Sequence, residues 1–206
     1  TLDQTLDLVV SKAQVLWDRC QALYACSPAT TQFFKSSAQS GGGFRLGFTD
    51  LVKLKVPKLG DKVGGVFLPN SDKIFIDKRL KTARDACHML LHELVHRYDT
   101  AAYAGGQSLP IEYAAYWHQT AFIDDLLKDT GDLGANMRAH YGAGLNGSLP
   151  AGGGQAGPSG GVPIIPYHTR ESLLRVVADT YGYTLDTTIL SLYPKLPREP
   201  EAQASN

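Results

Sequence analysis

The chain has 206 residues, 43% hydrophobic and 19% charged, with 20 basic and 20 acidic side chains. That size and balance suit one soluble globular domain over residues 1–206, with a real core, and exclude a disordered chain. The formal net charge of zero leaves no basic field for nucleic acid. No run approaches the roughly 18 apolar residues a membrane span needs.

In chain order, residues 3–25 read as a helix, because Leu6, Val9, Val10, Ala13, Leu16, Trp17, Cys20, Leu23 and Tyr24 recur at helical spacing. Ser27-Pro28 ends it, and a second short helix is expected over 28–38. After the break at Ser40-Gly41-Gly42-Gly43 the pattern changes to short β-branched and aromatic runs. Three strands are expected there, over Leu51–Val56, Val63–Leu68 and Lys73–Asp77. Pro69-Asn70-Ser71-Asp72 has turn chemistry, so the last two should form an antiparallel hairpin. Helices follow at about 80–101 and at Pro110–Leu127, where Pro110 suits a first turn, with Ala104-Gly105-Gly106 between them. Residues 142–162 are dominated by Gly and Pro and are expected to form a flexible loop bordering the active-site cleft. Helical periodicity returns over 169–180, with Thr169 as N-cap, and residues 194–206 are expected to fray. The class is α+β, and no internal repeat is present.

Cys20, Cys26 and Cys87 are odd in number and form no C-x-x-C pair, so they suggest no cysteine zinc site. They read as buried thiols of a reducing compartment. A Cys20–Cys26 bridge would require the first helix to end between them. Thr1-Leu2-Asp3-Gln4 carries neither an initiator methionine nor a basic n-region, which reads as an excised domain or a processed chain.

The chemistry concentrates in His92-Glu93-Leu94-Val95-His96, an H-E-x-x-H run. It lies in Ala86–Tyr98, which has no Gly or Pro and reads as a buried or half-buried helix. Histidines at i and i+4 lie about 40° apart around a helix and about 6 Å apart along it, so both imidazoles reach one metal ion. Glu93 falls beside them, where a carboxylate serves as general base on a zinc-bound water. The expected cofactor is zinc (Zn2+). A catalytic zinc usually takes three protein ligands and keeps one open position. Glu112 is the first choice for the third. It shares a helix face with Ala115, Tyr116, Gln119 and Ile123, where an unpaired carboxylate would be expensive. Asp99, three residues after His96, reads either as the acid that orients a histidine ligand or as a solvated charge. Asp179 is a weaker competitor. His88 continues the stripe of His92 and His96 but lies about 12 Å along the axis from His96, too far to share a metal with it. It reads as a core residue or one that supports a ligand.

These pieces resemble the zincin metallopeptidases that take a glutamate as third ligand. The matching parts are the strand Lys73–Asp77, the H-E-x-x-H helix and Glu112-Tyr113-Ala114-Ala115 on a following helix, and the resemblance spans about residues 63–127. The order is also similar to the small mitochondrial protease family that processes an ATP-synthase subunit, and to metallopeptidase domains of bacterial toxins. The resemblance implies a zincin-like fold with a small antiparallel or mixed sheet, and a zinc endopeptidase acting on a peptide or protein substrate. It implies a donor for the tetrahedral oxyanion, with Tyr98, Tyr116, His168 and Tyr181 as candidates. It also implies an edge strand, Val63–Leu68 or Lys73–Asp77, that pairs with extended substrate. The Gly-rich segment and the missing methionine favour a secreted or translocated effector domain over a housekeeping processing protease. The alternative is a non-catalytic zincin-fold binding domain whose metal is structural or absent. Glu93 argues against that, since a binding module has no need of a general base. Nothing in the residues sets the compartment or the oligomeric state.

Overall fold

The computed structural model describes residues 16–30, 33, 44–51, 53, 64–80, 83–129, 131, 132, 135, 155–156, 163–164 and 169–200. The architecture is α+β, as expected. Residues 16–24 are helical (α1). Strands β1 (Arg45–Thr49), β2 (Gly65–Leu68) and β3 (Lys73–Asp77) form a mixed sheet in the order β1-β3-β2. Helices α2 (Ala83–Tyr98), α3 (Thr100–Ala104), α4 (Leu109–Lys128) and α5 (Arg170–Tyr181) follow, and a 3-10 helix covers Thr187–Leu192. No helix among the described residues is long and apolar enough to cross a membrane.

The β2–β3 hairpin forms where the turn chemistry placed it, with Val66 opposite Phe75 and Phe67 opposite Ile74. Asp72 in the connecting turn takes a positive φ of 49°, which aspartate tolerates better than most residues. The other neighbour of β3 differs from expectation. Leu51–Val56 is not the strand: Leu51 and Lys53 lie in a turn, while 52 and 54–56 fall outside the described residues. The strand lies earlier, at β1, which runs parallel to β3 with Leu46 opposite Ile74 and Phe48 opposite Ile76. Gly47 in its middle weakens the strand pattern, because it has no side chain to pack, and pairing with β3 overrides that. Buried Asp77 ends β3 and fastens the following turn, accepting the backbone N–H of Leu51 at 2.9 Å and of Arg79 at 2.9 Å.

One face of the sheet carries Leu46, Phe67, Ile74 and Ile76, all buried, as the period-2 alternation of strands requires. They share a core with α2. Every residue of α2 from Ala86 to His96 is buried, so this helix is surrounded rather than amphipathic. The sheet covers one side, α4 another, and α1 is joined to it by a disulfide between Cys20 and Cys87. That pairing replaces the reduced thiols and the Cys20–Cys26 bridge considered above, and Cys26 is free and exposed. Residues 67 apart could be matched only once the chain had folded.

Helix α4 carries two buried stripes. Ala115, Phe122, Ile123 and Leu126 join the α2 core, while Leu109, Tyr113, Trp117 and Ala121 build a second core with Leu173, Leu174 and Val177 of α5. Helix α5 begins at Thr169, whose side chain accepts the Ser172 N–H, and ends at Gly182, whose left-handed φ of 70° suits glycine. The segment after Pro194 does not fray as expected, at least to residue 200. Leu196 is buried in the second core, the Trp117 indole N–H donates to the Pro194 carbonyl at 3.2 Å, and Arg170 pairs with Glu199 at 3.3 Å. Short apolar insertions such as Leu196 carry no periodicity, so sequence patterns miss them. Residues 201–206, most of 142–162 and most of the 28–38 segment lie outside the described residues. Within these stretches, Pro28–Thr30 is a 3-10 turn, and Gln155–Ala156 pairs antiparallel with Pro163–Ile164.

Candidate metal centre

Helix α2 presents His92 and His96 one turn apart, with their Nε2 atoms 3.1 Å from each other. The turn through Gly105-Gly106 folds α4 back beside α2, and the first turn of α4 brings Glu112 to the same point. Its Oε2 lies 3.4 Å from His92 Nε2 and 3.6 Å from His96 Nε2. All three side chains are buried. Among the described residues no hydrogen bond reaches Glu112 Oε2 or His96 Nδ1. A buried carboxylate oxygen in that state is costly unless something else satisfies it.

The triangle itself indicates what would satisfy it. Ligands held about 2.05 Å from a tetrahedral ion lie about 3.3 Å from one another. The three edges, 3.1, 3.4 and 3.6 Å, bracket that spacing. His92, His96 and Glu112 could therefore hold a metal ion. Two neutral nitrogens and one carboxylate oxygen suit a divalent transition metal, and zinc among them.

The local charges respond to this crowding. Burial pushes the Glu112 carboxyl up, but the imidazoles of His92 and His96 outweigh it and hold the group well below the usual carboxylate range. Burial pushes the His92 imidazole down, and Glu112 with Glu93 reverses that, so it rises. Glu93 is raised, mainly by burial and against the pull of both histidines. The backbone of Phe67 on β2 also lowers it, as the smallest of these effects.

Strand β2 lies at the edge of the sheet, with β3 at its centre. The Asp77 N–H donates to the Gly64 carbonyl at 2.9 Å, so even-numbered residues of β2 bond to β3. By antiparallel alternation the backbone groups of Gly65 and Phe67 then face away from β3, toward Glu93, and among the described residues no strand pairs with that edge. Gly65 permits the approach: a Cβ there would lie 3.0 Å from Glu93 Oε1 and 3.1 Å from its Cγ.

Tyrosines surround the triangle. The Tyr116 ring lies 4.5 Å from the His92 ring, and the Tyr103 ring 4.5 Å from the His96 ring. The hydroxyls of Tyr116 and Tyr181 are 3.1 Å apart, and Tyr181 stacks on Tyr183. Burial and the carboxylates of Glu93 and Glu112 push the Tyr103 phenol up to about 12. Burial likewise raises Tyr116 and Tyr181, so both remain protonated donors.

No protein-family model, no curated protein and no solved structure matches this chain. The geometry alone therefore sorts the candidate residues. It brings together His92, His96 and Glu112, with Glu93, Tyr116 and Tyr181 around them. It does not bring in Tyr98, which is 59% exposed and packs edge-on against Phe33. Asp99 is exposed and caps α3, accepting the Ala102 N–H, so of its two readings the surface one holds. Asp179 is exposed on α5. His168 lies outside the described residues.

Four contributors escaped the sequence reading. Gly65 and the Phe67 N–H act through backbone position, which leaves no trace in residue type. Tyr103 lies in a short helix beyond the motif. Gln119 had a visible sign, its position seven residues after Glu112 on the same face, but its partners were not legible.

Proposed function

We propose that this chain is a zinc-dependent endopeptidase of the zincin kind. The observation that carries the reading is the buried His92–His96–Glu112 triangle with Glu93 beside it against the edge strand β2. A zinc ion held by these three side chains would supply the Lewis acidity that makes a water nucleophilic and a peptide carbonyl electrophilic. Glu93 takes the water's proton and passes it to the leaving amine. Its raised affinity for protons suits both halves of that task. Tyr116, whose ring lies against His92, and Tyr181, bonded to its hydroxyl, are candidate O–H donors for the developing oxyanion. An extended peptide would add along β2, the edge strand beside Glu93.

The Cys20–Cys87 disulfide fits a chain that works in an oxidising compartment, in keeping with a secreted effector domain. The deciding experiment is Glu93→Gln. The isostere should keep the fold and near-stoichiometric zinc, while peptide hydrolysis falls by about 10² to 10⁴. Unchanged turnover would remove Glu93 as the base. Stoichiometric zinc in the wild type without hydrolysis of any peptide would favour the non-catalytic binding domain.

A further inference from the structure

Gln119 is buried on α4 between two histidines of α2. Its Oε1 lies 3.1 Å from His92 Nδ1, and its Nε2 lies 2.7 Å from His88 Nδ1. A carboxamide has a fixed polarity: its oxygen only accepts and its nitrogen only donates. With the carboxamide placed this way, His92 donates from Nδ1 and His88 accepts at Nδ1. In neutral His92 the other ring nitrogen, Nε2, then carries a lone pair. That is the atom 3.1 Å from His96 Nε2 and 3.4 Å from Glu112 Oε2.

We infer that His88, Gln119 and His92 form a positioning relay that holds His92 in its Nδ1–H tautomer and so presents Nε2 as a metal donor before any metal arrives. The inference rests on reading His92, His96 and Glu112 as a metal set. Turning the carboxamide over would require the proton to shift on both imidazoles, so the two hydrogen bonds couple the tautomer of His92 to that of His88. The histidine of a metal site commonly leans on a carboxylate or a backbone carbonyl for this purpose. Here two carboxylates, Glu93 and Glu112, already act on His92. At His92 a neutral amide takes the place of the usual carboxylate or carbonyl. Gln119 and His88 touch no substrate in this scheme; they act through His92.

The test compares the wild type with Gln119→Met, which keeps the volume and removes both hydrogen bonds, and with Gln119→Glu, which keeps an acceptor for His92. Two quantities are read: zinc affinity by competition with a chelator, and the 15N signature of the His92 ring in the zinc-free protein at mildly alkaline pH. Gln119→Met should weaken zinc about tenfold to a hundredfold and leave His92 in a mixture of tautomers. Gln119→Glu should restore tight zinc binding and the Nδ1–H signature. A residue with only a packing role would lower the melting temperature of Gln119→Met and change neither readout. Wild-type zinc affinity in Gln119→Met, or a wild-type His92 protonated at Nε2, overturns the relay and leaves the metal set standing. A wild type that binds no zinc overturns both. Should Gln119→Met fail to fold, the wild-type ring signature and the Gln119→Glu affinity still decide.

Discussion

At the scale of single residues, some contacts in the site are tight enough that one extra carbon would displace a neighbour. Gly65 is the clearest case, because any side chain there would press on the Glu93 carboxylate at about 3.0 Å. We predict that Gly65→Ala retains zinc, whose three ligands lie elsewhere, and loses peptidase activity toward the level of Glu93→Gln. Parallel metal analysis and peptide assays would check this, and a Gly65→Ala enzyme with full turnover would show that Glu93 has room to move. Tyr181 offers a second test. Its hydroxyl meets that of Tyr116 at 3.1 Å, and burial keeps it protonated. If it donates to the oxyanion, Tyr181→Phe should lower kcat by about 10² to 10³ with little change in KM. A change confined to KM would assign Tyr181 to substrate packing instead.

At the scale of elements, α2 organises the molecule because it is buried on every side. Its sheet-facing, α4-facing and α1-facing residues are all satisfied by different partners. Arg97, near its C-terminal end, grips Asp72 in the β2–β3 turn through two hydrogen bonds of 2.7 and 2.9 Å. The same guanidinium lies over the Phe44 ring. That clamp fixes the hairpin, and hence the edge strand β2, against α2. The Cys20–Cys87 bond fixes α1 at the opposite part of α2, one residue before His88. Closing a loop of 67 residues stabilises a fold by about 4 kcal/mol on chain-entropy grounds. We predict that Cys20→Ser lowers the denaturation midpoint accordingly, and that reductant does the same to the wild type and nothing further to the variant. Equal midpoints with and without reductant would mean that the bond is absent in solution.

At the scale of the whole molecule, two cores meet along α4, and the C-terminal segment straps them. Asp124 is part of that strap. It is buried, and its carboxylate accepts the Arg198 N–H at 3.3 Å, with Arg198 Nε at 3.8 Å. Burial pushes its carboxyl from 3.8 up to about 7, more strongly than Arg198 and Lys128 pull it down, and Asp125 adds to the rise. The folded state therefore holds this proton more tightly than the unfolded chain. Its contribution to stability is fully present below about pH 4 and is lost as pH rises through about 7. We predict that Asp124→Asn, which cannot ionise, gains thermal stability relative to wild type above neutral pH, and that this gap narrows steadily on acidification and closes near about pH 4. Melting curves of the two proteins across that range would check it, and a gap that widens on acidification would contradict the sign.

Sequence alone determined the parts of this protein that are periodic or local. The H-E-x-x-H spacing implied one face and one metal because helix geometry is the same in every fold. Lys73–Asp77, the hairpin turn and the Thr169 cap were legible for the same reason. Glu112 was legible because a carboxylate on an apolar helix face demands a partner. Tertiary structure decided everything that joins distant segments. It paired Cys20 with Cys87, set β1 beside β3 despite Gly47, and carried Leu196 back into the second core. It also separated two acids: Asp99 turns to cap a helix, while the fold returns Glu112 to the histidines. The Gln119 bridge depends on the register of two helices, a quantity that no run of residues in either helix contains.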